Sequence, residues 1–124
     1  MNKYKLTDET KEWYGITLHR IKALKNFGNV KKGDLGGWIE KEENLSQEGY
    51  CWVYGNALVY ENAWVYGDAL VYGNALVSEN AWVYGSALVY GSALVYGDAR
   101  VYGNALVYGN ALVSGDALVY GYAV

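Results

Sequence analysis

A six-residue alternation of apolar and turn-forming positions runs through the C-terminal part of the chain. From residue 51 to residue 122, twelve hexads follow one another without insertion, and their consensus is Ala-Leu-Val-Tyr-Gly-Asn. Alternate side chains of a strand share a face, so Ala and Val point to one side while Leu and Tyr point to the other. Gly-Asn and Gly-Asp favour turns because these residues adopt positive φ at low cost. The pattern therefore predicts four-residue strands separated by two-residue corners.

The spacing of departures from the consensus indicates how many hexads close one coil. Glu61-Asn62 is followed 18 residues later by Glu79-Asn80, and Trp64 and Trp82 are also 18 residues apart. Three hexads therefore make one triangular coil, and twelve hexads make four coils of a parallel β-helix. An amphipathic helix does not fit, because two turn formers in every six residues would break it.

The third position of every hexad is valine, and we predict that these side chains fill the interior. The first position is Ala in eleven hexads and Cys51 in the other, which we expect to be a small core residue. The predicted core valines are Val53, Val59, Val65, Val71, Val77, Val83, Val89, Val95, Val101, Val107, Val113 and Val119.

The repeat and the segment before it resemble a known family. Ala-x-Val-x-Gly-Asn repeated in threes is similar to the hexapeptide-repeat, left-handed parallel β-helix proteins. The leader Gly36-Gly37-Trp38-Ile39-Glu40, with residues 44–49 and Cys51-Trp52-Val53-Tyr54, resembles bacterial proteins known only as hexapeptide transferases and their short phage-borne relatives. The resemblance implies an all-β, single-stranded, left-handed parallel β-helix with about four regular coils.

The two ends of the chain differ. Residues 1–50 are predicted to form an N-terminal cap with an irregular first coil, and residues 51–124 form the hexapeptide-repeat β-helix. Residues 4–6 and 16–24 are predicted strands, and residues 33–37 a tight turn. Solenoids need caps because an open coil exposes unpaired backbone and bare core. The repeat pattern continues to residue 124, so we expect the C-terminal end to be uncapped and suited to stacking between chains.

Large apolar side chains are predicted on the outside of the coil. Contiguous exposed apolar surface usually marks an interaction site, so we predict a homo-oligomer formed through an outer face or the C-terminal end. The alternative is that Leu and Tyr are simply good strand formers. The residues predicted to mediate self-association are Trp52, Trp64, Trp82, Leu118, Tyr120 and Tyr122.

Composition and charge narrow the range of partners. The net charge of −3 is not that of a typical nucleic-acid binder. A single Cys and a single His exclude a Cys/His zinc site, and we expect no metal and no cofactor. The start of the chain lacks a signal-peptide pattern, and turn formers interrupt every apolar run. We therefore expect a soluble, cytoplasmic protein of a bacterial cell, with no membrane partner.

Basic residues offer a second interpretation. Nine of the ten Lys and Arg residues lie in the first fifty positions. Basic side chains beside aromatic rings can hold a small nucleotide-like anion at the cap or between subunits, although such clusters are more often solvated surface. The candidate residues for this site are Arg20, Lys22, Lys25, Lys31, Lys32 and Arg100.

The family resemblance also raises the question of catalysis. It implies a histidine base near a loop that interrupts the coil, whereas His19 lies in the leader and the hexads are uninterrupted. We therefore expect no catalytic residue and no enzyme activity, but a binding or assembly module. A protein that sequesters an anionic ligand and a degenerate hexapeptide acyltransferase are the alternatives.

Overall fold

The structure, a computed structural model, describes residues 2–124. Three longer strands, β1 (Tyr4–Trp13), β2 (Ile16–Ala23) and β3 (Leu35–Ile39), precede a 3₁₀ helix at Glu42–Asn44. Twelve two-residue strands follow, one in each hexad. They are β4 (Trp52–Val53), β5 (Leu58–Val59), β6 (Trp64–Val65), β7 (Leu70–Val71), β8 (Leu76–Val77), β9 (Trp82–Val83), β10 (Leu88–Val89), β11 (Leu94–Val95), β12 (Arg100–Val101), β13 (Leu106–Val107), β14 (Leu112–Val113) and β15 (Leu118–Val119).

The short strands form three parallel sheets, one on each side of a triangular coil. The long sheet has the order β1-β2-β3-β5-β8-β11-β14, the second sheet β4-β7-β10-β13 and the third sheet β6-β9-β12-β15. Leu58 pairs with Leu76 and Val59 with Val77, and this 18-residue register repeats along the solenoid. The all-β parallel solenoid with three hexads per coil is confirmed, and it has about five turns. Strand order and register are the same for either hand, so the left-handed sense stays a prediction.

A column of stacked valines and alanines fills the interior. Eleven of the predicted core valines, Val53 to Val113, are buried, and Val119 in the last coil is half-buried. Cys51 is also fully buried, as predicted for a small core residue. Between coils, Leu58 N donates to Ala75 O at 3.0 Å and Tyr60 N donates to Val77 O at 3.0 Å. Burial of apolar side chains and pairing of the backbone thus recur together in each coil.

An antiparallel hairpin extends the long sheet at its N-terminal end. Tyr4 pairs with Ala23 and Trp13 with Ile16, with a bulge between Leu6 and Thr10. The strand predicted at residues 4–6 is thus the first part of a longer one, and the strand predicted at residues 16–24 is confirmed as β2. Over the described residues, no helix is long and apolar enough to cross a membrane.

The tight turn predicted over residues 33–37 is wrong for most of its length. Gly33 lies in a turn with φ 95°, but Gly36 and Gly37 lie inside β3. A Cβ on Gly36 would lie 2.6 Å from Val53 O, and one on Gly37 would lie 2.7 Å from Ala57 O. These glycines are therefore needed for close approach of β3 to the first regular coil, and not for a turn.

Candidate functional site

The outward side of the second sheet is an apolar surface. We call it the leucine–tyrosine face; it consists of Leu70, Leu88 and Leu106 in one row and Tyr54, Tyr72, Tyr90 and Tyr108 in the other. Most of these side chains are half-buried, and Tyr108 is 44% exposed. Because every residue of both rows is Leu or Tyr, contact with another apolar surface would remove no charge from water.

An apolar cleft of about 340 Å³ opens on this face between Tyr54, Leu70, Tyr72 and Leu88. The rings of Tyr72 and Tyr90 stack at 4.8 Å with an angle of 2°, and Tyr90 and Tyr108 stack at 5.3 Å. Tyr54 departs from this stack, since its ring lies 6.2 Å from that of Tyr72 at 83°. Loss of hydration raises the pKa of the Tyr54 and Tyr72 phenols, in keeping with their apolar surroundings.

The third sheet carries a second aromatic stack. Tyr66, Tyr84 and Tyr102 follow one another at 4.7 and 4.9 Å with nearly parallel rings. Rings that stack on one another along the coil axis present their edges and hydroxyl groups to solvent. A nucleotide base needs an open ring face for stacking, so these stacks offer little support for the nucleotide-like ligand.

On the long sheet, part of the outward apolar surface is covered by the N-terminal hairpin. On the long sheet, Leu18, Trp38 and Leu58 form a buried cluster on the outward side. Trp13 and Ile16 of the hairpin pack against this cluster, as do Tyr60 and Leu76 of the repeats. Leu58 is consequently only 2% exposed, whereas Leu112 in the same column is 63% exposed. The chain itself therefore covers part of one outer face with an apolar hairpin.

The predicted anion-binding residues do not come together. The Arg20 guanidinium lies over the Trp38 ring at 4.7 Å, and Lys11 lies over the same ring at 4.6 Å. Lys22 pairs with Lys5 on β1, where both line a polar cleft of about 310 Å³. Lys25, Lys31 and Lys32 are exposed between β2 and β3.

Arg100 lies apart from the basic leader, on the third sheet. Its guanidinium stacks over Trp82 at 4.1 Å and donates to the carbonyls of Asp98 at 2.9 Å and Asn80 at 3.2 Å. The Arg100 guanidinium therefore interacts with groups of its own sheet, and the Arg20 guanidinium likewise stacks on an aromatic ring.

The predicted self-association residues differ in their availability. Trp52 is 1% exposed because Tyr4 and Phe27 of the cap pack edge-on against it, so its predicted role is wrong. Trp82 is half-buried beneath Arg100. The four exposed members are Trp64 (37%), Leu118 (58%), Tyr120 (56%) and Tyr122 (85%).

Sequence reasoning missed two residues that close the capped end of the core. Lys3 is fully buried, and its Nζ donates to Cys51 O at 2.7 Å and lies 3.3 Å from Cys51 Sγ. Burial lowers the pKa of Lys3 and raises that of the Cys51 thiol. The Tyr4 hydroxyl donates to Leu45 O at 2.5 Å. The sequence gives no reason to expect burial of a lysine in a charged segment. The alternation of apolar and polar residues from Tyr4 predicted a strand, but not the hydrogen bond of the Tyr4 hydroxyl.

His19 is half-buried on β2, opposite the bulge in β1. Its Nδ1 lies 3.3 Å from the carbonyl oxygen of Thr7. When Nδ1 carries the proton and donates to that carbonyl, Nε2 has a free lone pair and can accept a proton. The bulge therefore supplies a geometry in which the ring could act as a base.

Comparison with known proteins shows what the repeats resemble. The sequence model described as the YdcK β-solenoid repeat matches residues 53–67, 63–79, 69–85 and 99–115. A protein of Escherichia coli (strain K12) named uncharacterized acetyltransferase YdcK is 34% identical over 80 residues. The alignment covers 57% of this chain and 24% of YdcK, so the chain spans about a quarter of that relative's length.

This relationship corrects the expectation that the chain has no enzyme activity. That expectation rested on the absence of a repeat-borne histidine, but a relative with the same repeats carries the name of an acetyltransferase. The repeats, their three-hexad register and these matches make the chain a β-solenoid repeat protein that is similar to YdcK over the aligned residues.

Proposed function

We propose that this chain is a self-associating β-solenoid whose copies bind one another through the leucine–tyrosine face. The observation that supports this most directly is the composition of that face, two continuous rows of Leu and Tyr with an apolar cleft between them. Aromatic side chains in desolvated pockets supply much of the binding energy of protein interfaces. On the long sheet, part of a comparable outer surface is already covered by side chains of the hairpin.

Sedimentation velocity over a range of concentrations tests the self-association. We expect the wild-type chain to form oligomers, and Leu88→Glu to be monomeric because it places a carboxylate beside the cleft. Leu112→Glu is the matched control, since it makes the same change at an exposed leucine of the long sheet. A wild-type chain that stays monomeric at every concentration, or a control that dissociates as fully as Leu88→Glu, would overturn the proposal.

A second candidate function is transfer of an acetyl group, which the name of the relative favours. In such a reaction the acceptor forms a bond to the acetyl carbon of a thioester and a base takes the acceptor's proton. The carbon–sulfur bond breaks, and the sulfur leaves with the bonding electrons as a thiolate that takes up a proton. His19 is the candidate base, because the contact of Nδ1 with Thr7 O leaves Nε2 free. Self-association and acetyl transfer do not exclude each other.

Incubation with acetyl-coenzyme A and a panel of amines and alcohols tests this second function. We expect acetylated product to be detected by mass spectrometry with the wild-type chain and to be lost in His19→Gln. Thr17→Ala is a control on the same strand, at an exposed position that leaves the histidine and the basic residues in place. Wild-type chain without turnover, or full turnover in His19→Gln, would contradict the assignment.

A further inference from the structure

The tip of the N-terminal hairpin carries an aromatic side chain in an unfavourable position. Tyr14 and Gly15 form the two-residue turn between β1 and β2, with φ of 47° and 83°. Such turns favour Asn-Gly, because both residues need positive φ. A tyrosine there is uncommon; Tyr14 is 90% exposed, and its ring makes a T-shaped contact with Trp13 at 5.0 Å. A strained residue of this kind points to a function.

We propose that Tyr14 of one copy inserts into the apolar cleft of another copy, between Tyr54 and Tyr72 and over Leu70 and Leu88. This inference rests on the proposed self-association and specifies how it is built. It makes the hairpin tip and the leucine–tyrosine face the two halves of one interface.

The chemistry of the two halves matches. The cleft has a volume of about 340 Å³, and its four lining residues are all Leu or Tyr. The tip residues Trp13 to Ile16 are uncharged, so their insertion would bury no charge. On the long sheet, Trp13 and Ile16 of the same hairpin already pack against a buried cluster that contains Leu58, as Tyr60 does. The hairpin is therefore shown to be compatible with a leucine–tyrosine surface.

The cleft must receive Tyr14 from another copy. The hairpin continues the long sheet and packs on its outward side, whereas the cleft lies on the second sheet. These sheets are different sides of the triangular coil. A tip held against one side does not reach the outward surface of another.

The buried area favours a reciprocal dimer. A buried aromatic side chain contributes about 150–250 Å², so one insertion with its cleft buries roughly 400 Å² in total. Stable interfaces bury about 1,200–2,000 Å². A two-fold dimer contains two identical insertions and doubles the buried area to about 800 Å², nearer the lower limit than a single insertion. A reciprocal arrangement therefore fits better than a single contact.

Replacement of Tyr14 separates this inference from self-association in general. Tyr14→Asn suits the turn conformation and removes the ring, so we expect an unchanged fold and a dimer dissociation constant raised at least about tenfold. Tyr50→Asn is the control, since Tyr50 is 60% exposed and stands at a hexad position usually held by Asn, Asp or Ser. A dimer dissociation constant for Tyr14→Asn equal to that of the wild-type chain would overturn the insertion while leaving self-association intact. A monomeric wild-type chain would overturn both.

Photo-crosslinking locates the contact directly. A Tyr14→p-benzoylphenylalanine variant is mixed with the isotope-labelled wild-type chain and the mixture is irradiated. The crosslinked peptides are then identified by mass spectrometry. We expect crosslinks from residue 14 to labelled peptides that contain Tyr54, Leu70, Tyr72 or Leu88. Crosslinks confined to the same chain, or to labelled peptides of the other two outer faces, would contradict the proposal.

Discussion

At the scale of single residues, two glutamates show how a departure from the repeat is accommodated. Glu61 and Glu79 occupy the glycine position of their hexads with φ of 57° and 58°. The carboxylate of Glu61 accepts a hydrogen bond from Glu79 N at 3.1 Å, and that of Glu79 accepts one from Gly97 N at 3.1 Å. Each side chain thus bonds to the next coil, which offsets the cost of a left-handed non-glycine residue.

Substitutions of Glu61 separate the strain from the hydrogen bond. Glu61→Ala keeps the strained conformation and loses the acceptor, so we expect its free energy of unfolding to fall by about 1 kcal/mol. Glu61→Gly loses the acceptor but relieves a strain of similar size, so its stability should stay within about 0.5 kcal/mol of wild type. Urea unfolding measures both, with Glu61→Gln as a control that retains an acceptor. Equal losses in the Ala and Gly variants would contradict this account.

The Tyr4 hydroxyl should make stability depend on alkaline pH. Burial raises the pKa of this phenol well above its ordinary value of about 10. A group with a raised pKa in the folded state stabilises fully below the unfolded-state value, and this contribution is lost as pH rises towards the folded-state value. We therefore expect Tyr4→Phe to be less stable than wild type at pH 8 and the difference to shrink above pH 10. Denaturant titrations of both chains at each pH measure this difference in free energy of unfolding. Lys3 and Cys51 are present in both chains, so their titration cancels in the difference. A difference that is constant with pH would be contrary to expectation.

At the scale of secondary-structure elements, the hairpin buries the outward leucine of the long sheet that lies nearest to it, and the leucines of later coils in that sheet remain more exposed. Leu58 belongs to the buried cluster against which Trp13 and Ile16 pack and is 2% exposed, whereas Leu94, two coils further along, is half-buried. Leu58→Ala should lower the free energy of unfolding by about 2–4 kcal/mol, and Leu94→Ala by about 1 kcal/mol. Thermal or urea unfolding of the two variants checks this. Similar losses at both positions would show that the hairpin does not protect Leu58 in solution.

The repeats could be predicted from the sequence in more detail than the hairpin. Each hexad repeats the same alternation, so Val83 and its equivalents were placed in the core by position alone. The long hairpin carries no such period, and its bulge between Leu6 and Thr10 breaks the alternation that would have extended the first strand. Lys3 is buried by contacts with Cys51, almost fifty residues away, which local pattern does not reveal. The cleft could not be predicted either, because the hexad pattern does not specify side-chain rotation, and Tyr54, which lines the cleft, is rotated out of the tyrosine stack.

At the scale of the whole molecule, each coil contacts only the coils above and below it, so stability is a sum over neighbours. Val83 pairs with Val65 on one side through β6 and with Val101 on the other through β12. Val113 pairs with Val95 through β11 and is 8% exposed, against 0% for Val83. The same substitution should therefore have different consequences at the two positions.

We expect Val83→Ala to lower the free energy of global unfolding by about 2 kcal/mol, because it leaves a cavity between two packed coils. Val113→Ala should lower it by about 1 kcal/mol or less, since fewer contacts are lost there. Hydrogen exchange gives a second readout: Val83→Ala should speed exchange in the coils on both sides, and Val113→Ala mainly beyond residue 94. Equal exchange profiles for the two variants would mean that the solenoid unfolds as a single cooperative unit, and that coupling between coils is stronger than contacts between neighbours alone can account for.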